Sequence, residues 1–339
     1  YGSIINYLKD DGFNDLIMVY NLLEGENLTS MAKTTGLGIL EISTIFDNIK
    51  PDIVVTIADR FETMATAICA SYMNIPLAHI QGGEVTGNID EKVRHSITKL
   101  ADYHFVATDD AYERVVKLGE NLKYVFNTGC PSIDIAKNIM DNPILDFDPY
   151  TKYSGVGSFP DFSNGYWVVM QHPVTTEIKR SRENIEETLY AMYSIEETVF
   201  WFWPNIDGGS DGTSNGIRAF RERYSLDRFH FFKNMDPNDF LKLLVNSKGI
   251  IGNSSVGIRE CAFLGVPSVN IGNRQNRRTR SKNVIDTPYN RKKIKLALNT
   301  IMRNDKPLCS DIYGKGNSGS KIARTLSKLP LKVDKQMQY

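Results

Sequence analysis

The sequence predicts an α/β protein made of two parallel-sheet domains that face a cleft, and three observations carry that prediction. Short apolar runs alternate with segments of helical period along the whole chain, the order that a parallel sheet with crossover helices requires. At 339 residues the chain is long enough for two cores. The alternation lapses once, between Asp141 and Asn164, where Pro, Gly, Ser and Asp accumulate as in a linker, so the domains are expected at 1–150 and 151–339.

In the first half an apolar run at Leu16 to Tyr20 precedes a helix from about Asn27 to Asn48, which Pro51 closes off. The segment from Pro51 is a continuous apolar strand that runs into Asp59 and Arg60. An Ala-rich helix and a second strand, Pro76 to Ile80, follow, which makes a parallel crossover. Ligands of open parallel sheets bind beyond the carboxyl ends of the strands, so Asp59, Arg60, Gln81 and Glu84 are expected in one crevice. A helix carrying Asp90, Glu91, Arg94 and His95 comes next, then a strand at His104 to Ala107, a helix to Gly119 and a strand at Tyr124 to Asn127. This half reads as Rossmann-like.

The second half repeats the plan. Tyr166 to Met170 is a strand ending in Gln171-His172, a helix spans about Ile185 to Tyr193, and Thr198 to Trp203 is a strand leading to Asn205 and Asp207. After another helix and a strand at Phe229 to Phe232 comes the most informative unit, residues 249–272. There Ile250-Ile251 stops at Gly252, Asn253-Ser254-Ser255 turns, and a helix through Ile258, Cys261 and Leu264 ends at Gly265 before a further strand. Such a turn gathers unpaired N–H groups, two hydroxyls and the positive end of a helix dipole, which suits a phosphate or diphosphate, and Glu260 is within range of ribose hydroxyls. An ordinary Ser-capped helix has the same pattern, so the neighbouring motifs decide.

Composition narrows the function. Lys plus Arg and Asp plus Glu are balanced at 40 each, which argues against a nucleic-acid or anionic-membrane surface and leaves any anion to be met locally. Cys69, Cys130, Cys261 and Cys309 have no zinc or disulfide spacing, so reduced thiols in a cytoplasmic protein are expected. No apolar run has the length of a membrane span and no signal peptide opens the chain. Residue 1 is Tyr, and Ile4, Ile5 and Leu8 read as the tail of a helix, so the first domain is expected to lack its initial strand and to show an open sheet edge.

Several motifs, in order over nearly the whole chain, carry a family resemblance. They are Asp59-Arg60-Phe61-Glu62, His79-Ile80-Gln81-Gly82-Gly83-Glu84, Ile89-Asp90 with Arg94-His95, and Gly129-Cys130-Pro131-Ser132. Gln171-His172-Pro173-Val174-Thr175-Thr176, Pro204-Asn205-Ile206-Asp207, Gly252-Asn253-Ser254-Ser255 and Asn273-Arg274-Gln275 complete them. Together they resemble the hydrolysing UDP-N-acetylglucosamine 2-epimerases of sialic-acid biosynthesis.

The resemblance implies a GT-B type fold with a UDP-sugar in the interdomain cleft, no metal or other cofactor, and a homo-oligomer, dimer or tetramer. It implies loss of UDP from C1 with removal of the C2 proton, then addition of water to the glycal to give N-acetylmannosamine. It further implies that Asp59 and Asp90 are the acid/base carboxylates, that Arg94 supports the catalytic helix, and that Arg60, His172, Asn205, Ser254, Ser255, Glu260 and Arg274 hold the nucleotide. Relatives commonly carry Gly where this chain has Ala58 and a catalytic Glu where it has Gln81, which cannot exchange a proton; Glu84 or an aspartate is then expected to cover that role. His79 and His104 read as core or supporting residues, and Arg277, Arg278 and Arg280 as a solvated basic loop. A GT-B glycosyltransferase and a non-catalytic UDP-sugar-binding protein are the alternative readings.

Overall fold

The computed structural model describes residues 4–23, 28–86, 89–204, 210–331 and 335–338. Helices α1 (Ile4–Asp10) and α2 (Leu28–Ile49) precede a regular alternation of β1 (Val54–Ile57), α3 (Thr63–Tyr72), β2 (Leu77–Ile80), α4 (Asp90–Leu100), β3 (Tyr103–Val106), α5 (Asp109–Lys117) and β4 (Val125–Asn127). Their strands form a parallel sheet in the order β1-β2-β3-β4. The fully buried β2 and β3 occupy its middle, which is why they read as continuous apolar runs. The outer strand β1 leaves Val55 and Ile57 47% and 48% exposed. The apolar run at 16–20 makes no strand, and its Ile17, Met18 and Tyr20 are exposed.

The chain continues through α6 (Ser132–Asp141), α7 (Pro149–Lys152), β5 (Gly155–Gly157), β6 (Tyr166–Met170), α8 (Ser181–Tyr193), β7 (Thr198–Phe202), α9 (Ser210–Arg223) and β8 (Phe229–Phe232). Then come α10 (Pro237–Val245), β9 (Gly249–Gly252), α11 (Glu260–Leu264), β10 (Ser268–Ile271), β11 (Val284–Thr287), α12 (Arg291–Arg303) and α13 (Ser318–Leu326). The second sheet has the order β11-β10-β9-β6-β7-β8-β5. Its two faces are buried under separate clusters, one around Trp167 and Trp201 and one around Phe200 and Leu244.

The stretch expected to be a linker, between Asp141 and Asn164, carries α7 and β5. β5 pairs antiparallel with β8 and becomes the sheet's outer strand, and the Tyr150 ring of α7 packs on Phe162, Phe200 and His230. Its glycines serve the strand: Gly157 has φ +124, which a side chain would strain, and the strand lies close against β8.

The two halves pack directly on one another. Cys130 N–H donates to the Tyr313 carbonyl at 2.7 Å, while Ile258 and Tyr313 share a buried cluster with Ala107 and Ile133. Helix α13 crosses back so that Ile322 packs with Ala78, Ile80 and Phe105 of the first sheet. Among the described residues no helix is long and apolar enough to cross a membrane.

Candidate active-site cleft

The carboxyl ends of β1 and β2 end on strained residues. Ala58 still donates its N–H to the Ile80 carbonyl and Gln81 donates to the Phe105 carbonyl, yet both sit at left-handed φ, +61 and +65. For a residue with a Cβ that costs about 1–2 kcal/mol. The turn at each strand end carries the chain into one cavity, which Ala58, Asp59, Gln81, Glu84, Thr86 and Asp90 line from the first half.

Arg94, fully buried on α4, ties this wall together. Its guanidinium donates to the Glu84 carbonyl at 2.8 Å, to Glu91 Oε2 at 3.2 Å, to Thr86 Oγ1 at 3.4 Å and, in an ion pair, to Asp59 Oδ2. It lies behind Asp59 and outside the cavity lining. Burial, with the charges of Arg278, Arg259 and Arg114, pushes its pKa down. A guanidinium nonetheless stays charged throughout the working range, so Asp59 faces a permanent cation.

The opposite wall comes from Ser255, Arg259, Arg274, Gln275 and Arg278. Gly252, at φ +135, brings the end of β9 against the Met170 carbonyl with no room for a Cβ. The buried Asn253 then staples two loops: its Oδ1 accepts from His172 N at 2.7 Å, its Nδ2 donates to the His172 carbonyl at 2.8 Å, and its carbonyl accepts from Gln275 and Arg274 at 2.9 and 3.2 Å. Burial first, then Arg274 and Arg60, pushes the His172 pKa down to about 3, so its imidazole is neutral at working pH.

The helix expected through Ile258, Cys261 and Leu264 ends at Gly265 as expected but is shorter, because α11 starts at Glu260. Residues 255–257 form a single 3-10 turn, Ile258 and Arg259 continue in right-handed helical backbone, and α11 has five residues before Gly265 caps it at φ +66. Asn283 draws off the Gly257 carbonyl at 3.0 Å, and Gly257 lies against Ser268 with no room for a Cβ, so packing on β10 adds to the bonds that Ile258 N and Arg259 N each donate to the Ser255 carbonyl at 3.0 Å in fixing this turn. The turn therefore presents the Ser255 hydroxyl and the Arg259 guanidinium to the cleft.

The two walls touch directly. Arg278 of one forms a buried ion pair with Glu84 of the other. Arg259 donates to Gln81 Oε1 at 3.4 Å and to Ser255 Oγ at 3.0 Å, and the Gln81 amide donates to Cys130 Sγ at 2.7 Å. The Cys130 thiol, its pKa pushed up by burial, stays protonated. The enclosed space is about 100 Å³. Pockets for drug-sized ligands run to roughly 300–1,000 Å³, so this space takes only part of such a ligand.

Of the residues singled out from sequence, Asp59, Asp90, Gln81, Glu84, Ser255 and Arg274 line the cavity. Ser254 caps the 3-10 turn, accepting from Val256 N at 3.4 Å, and Glu260 is buried beside Arg259 at 3.7 Å. Arg60 is half exposed and pairs with Glu62 at 2.8 Å. Asn205 and Asp207 lie outside the described residues. Arg278 corrects the expectation of a solvated basic loop: it is buried because Glu84 neutralises it, whereas Arg277 is exposed and Arg280 pairs with Asp286 at 2.8 Å. The signal was available, since this Arg-rich loop follows the carboxyl end of β10, on the ligand side of a parallel sheet. Arg259 and Thr86 were likewise missed, and neither belongs to a pattern readable without tertiary partners.

Comparison with known proteins adds the following. The family model for UDP-N-acetylglucosamine 2-epimerase matches residues 8–327. A UDP-N,N'-diacetylbacillosamine 2-epimerase (hydrolyzing) from Legionella pneumophila is 31% identical over 331 residues, covering 98% of this chain and 85% of the relative. A UDP-N-acetylglucosamine 2-epimerase from Neisseria meningitidis is 30% identical over 324 residues, covering 96% and 82%. The crystal structure of Methanocaldococcus jannaschii UDP-GlcNAc 2-epimerase in complex with UDP-GlcNAc and UDP aligns with a TM-score of 0.79 at 18% identity, covering 95% of this chain and 87% of that one. That likeness shows the fold, two Rossmann-like domains of GT-B type.

Proposed function

This chain belongs to the UDP-N-acetylglucosamine 2-epimerase family, and from that premise we propose that it is a hydrolysing 2-epimerase, taking a UDP-N-acetylated amino sugar and water to the free 2-epimer and UDP. The observation that carries the reading is the cleft itself: three carboxylates, Asp59, Glu84 and Asp90, from one wall face Ser255 and the guanidinium groups of Arg259, Arg274 and Arg278 from the other.

The arrangement fits the chemistry. A sugar C2–H is too weakly acidic for a carboxylate until the C1–O bond to UDP has begun to break and C1 has become electron-poor. The three guanidinium groups stabilise charge on the departing diphosphate, and a carboxylate takes the C2 proton, leaving a C1=C2 double bond. A second carboxylate then returns a proton to C2 from the other face as water adds at C1. We assign the proton transfers to Asp59 and Asp90, with Gln81 orienting by hydrogen bonds, and the nucleotide to Ser254, Ser255, His172, Glu260 and Arg274. The free product would feed sialic-acid-type sugar synthesis, and the active form is read as a homo-oligomer.

The test is incubation with UDP-N-acetylglucosamine, and separately with its 2,4-diacetamido-6-deoxy analogue, in deuterated water. Free 2-epimer carrying deuterium at C2, with UDP released in equal amount, is expected. A 2-epimer still attached to UDP would make the enzyme non-hydrolysing, and binding without exchange would leave only a UDP-sugar-binding protein.

A further inference from the structure

His79, on β2 and fully buried, is absorbed by none of the roles above, yet it touches three parts of the cleft wall. Its Nε2 lies 2.9 Å from the Ala58 carbonyl and its Nδ1 lies 3.2 Å from Thr98 Oγ1 on α4. A Cβ on Gly82, the residue after Gln81, would come 2.9 Å from that Nδ1 and 3.0 Å from Thr98 Oγ1, so ring and hydroxyl fill the space under the turn.

We propose that His79 is a positioning residue for the reaction: its Nε2–H holds the Ala58 carbonyl, and with it the direction in which Asp59 enters the cleft, while its Nδ1 ties that peptide to α4. The inference rests on the reading of Asp59 as a reacting carboxylate. Three facts support it. A carbonyl only accepts, so the proton must be on Nε2. Burial pushes the imidazole pKa down to about 4, which leaves one N–H at working pH and makes Nδ1 an acceptor facing the Thr98 hydroxyl, whose single proton is shared between Nδ1 at 3.2 Å and the Arg94 carbonyl at 3.0 Å. Finally, Ala58 is held at φ +61, a conformation that an alanine leaves unless its surroundings fix it, and its N–H and carbonyl are fixed by Ile80 and His79 respectively. Helix α4 carries Asp90 and the Arg94 that pairs with Asp59, so one ring sets the relation between both aspartates.

Two variants separate the bonds. His79→Gln can place an amide donor where Nε2 was, whereas His79→Asn reaches only as far as Nδ1. With deuterium exchange at C2 and UDP release as readouts, His79→Asn is expected to lower kcat about 10- to 100-fold at unchanged KM and UDP affinity, the scale of a misplaced catalytic group. His79→Gln is expected to recover most of that loss. Equal kcat in His79→Asn and wild type, equal losses in the two variants, or parallel loss of kcat and UDP affinity would each overturn the proposal. An inactive wild type that still binds UDP would instead sink the functional reading. Independently of turnover and of how the variants fold, a 15N imidazole spectrum of the wild-type protein must show His79 as the Nε2–H tautomer from pH 6 to 8, and the Nδ1–H form would overturn the proposal.

Discussion

The two walls of the cleft reach similar sharp turns by opposite means. On the wall that the proposed function gives to the nucleotide, the restricted backbone around the β9 turn falls on Gly252 and Gly265, where it costs nothing sterically, while Arg277, in the exposed loop beyond β10, is left-handed at φ +61; the turn between the two glycines is held by the Ser254 hydroxyl, which accepts from Val256 N, and by Asn283, which donates to the Gly257 carbonyl. On the carboxylate wall the same kind of backbone falls on Ala58 and Gln81 as well as on Gly83, and the turns are held by a buried histidine and buried ion pairs. A binding surface needs only to present donors. Under the proposed function the other wall must aim two aspartates, and its left-handed residues carry strain of about 1–3 kcal/mol each, which only dense surrounding contacts keep in place.

The largest expected effects lie on the strained wall. Replacing Asp59 or Asp90 with Asn should cut turnover by on the order of 10² or more and leave UDP affinity within a few-fold. The two should differ in stability. Asp59→Asn removes the carboxylate from a fully buried Arg94, so its melting temperature should fall below that of Asp90→Asn. Steady-state rates, calorimetry and thermal melts on both variants check this, and wild-type turnover in either would make that residue structural.

On the nucleotide wall the double change Ser254→Ala and Ser255→Ala should weaken UDP by about 1–3 kcal/mol, or roughly 5- to 150-fold in Kd, with kcat at saturation nearly unchanged. The single variants divide the effect. Ser255 lines the cavity and should carry most of the affinity, while Ser254 caps the turn and should carry most of any loss in melting temperature. Unchanged UDP affinity in the double variant would remove this turn from the nucleotide site.

The same contrast explains what could be read from the sequence. Apolar runs placed the strands well, since β6 and β8 fall on the expected residues, and the glycines that punctuate the nucleotide wall announced its turns. Ala58 and Gln81 gave no such notice, because neither residue type signals a left-handed turn and only the neighbouring strands and His79 hold them there. β5 was hidden by its own glycines, which looked like a linker until β8 lay beside them. Arg278 looked solvated because its partner, Glu84, is in the other half of the chain.

A smaller effect is expected at Gln81, whose amide spans Arg259 and Cys130. Gln81→Glu keeps the acceptor facing Arg259, converting a bond from a charged donor into an ion pair, and turns the other end into an acceptor that the protonated Cys130 thiol can satisfy as donor. The new carboxylate should be accommodated and should raise turnover several-fold or shift its pH profile. It also competes with Ser255 for Arg259, so UDP affinity should fall slightly. Superimposable pH–rate profiles with equal turnover would show that position 81 takes no part in the chemistry.

The smallest effect, and the most direct probe of strain, is Ala58→Gly. Left-handed φ costs an alanine about 1–2 kcal/mol, and glycine escapes that cost but loses about 0.5–1 kcal/mol more chain entropy on folding. The balance favours the variant by a few tenths to about 1 kcal/mol, which at this chain length raises the melting temperature by at most about 2–4 °C. Activity should move the other way. A glycine at 58 relies more heavily on the His79 bond to hold its carbonyl, so Asp59 samples more directions and turnover drops by roughly two- to five-fold at constant UDP affinity. A variant that melts lower than wild type would mean that Ala58 is not strained and that its φ of +61 is held at no expense. One that melts higher with turnover intact would show that Asp59 is aimed by Arg94 alone, and the contrast between the two walls would then lie in their charges and not in their backbone.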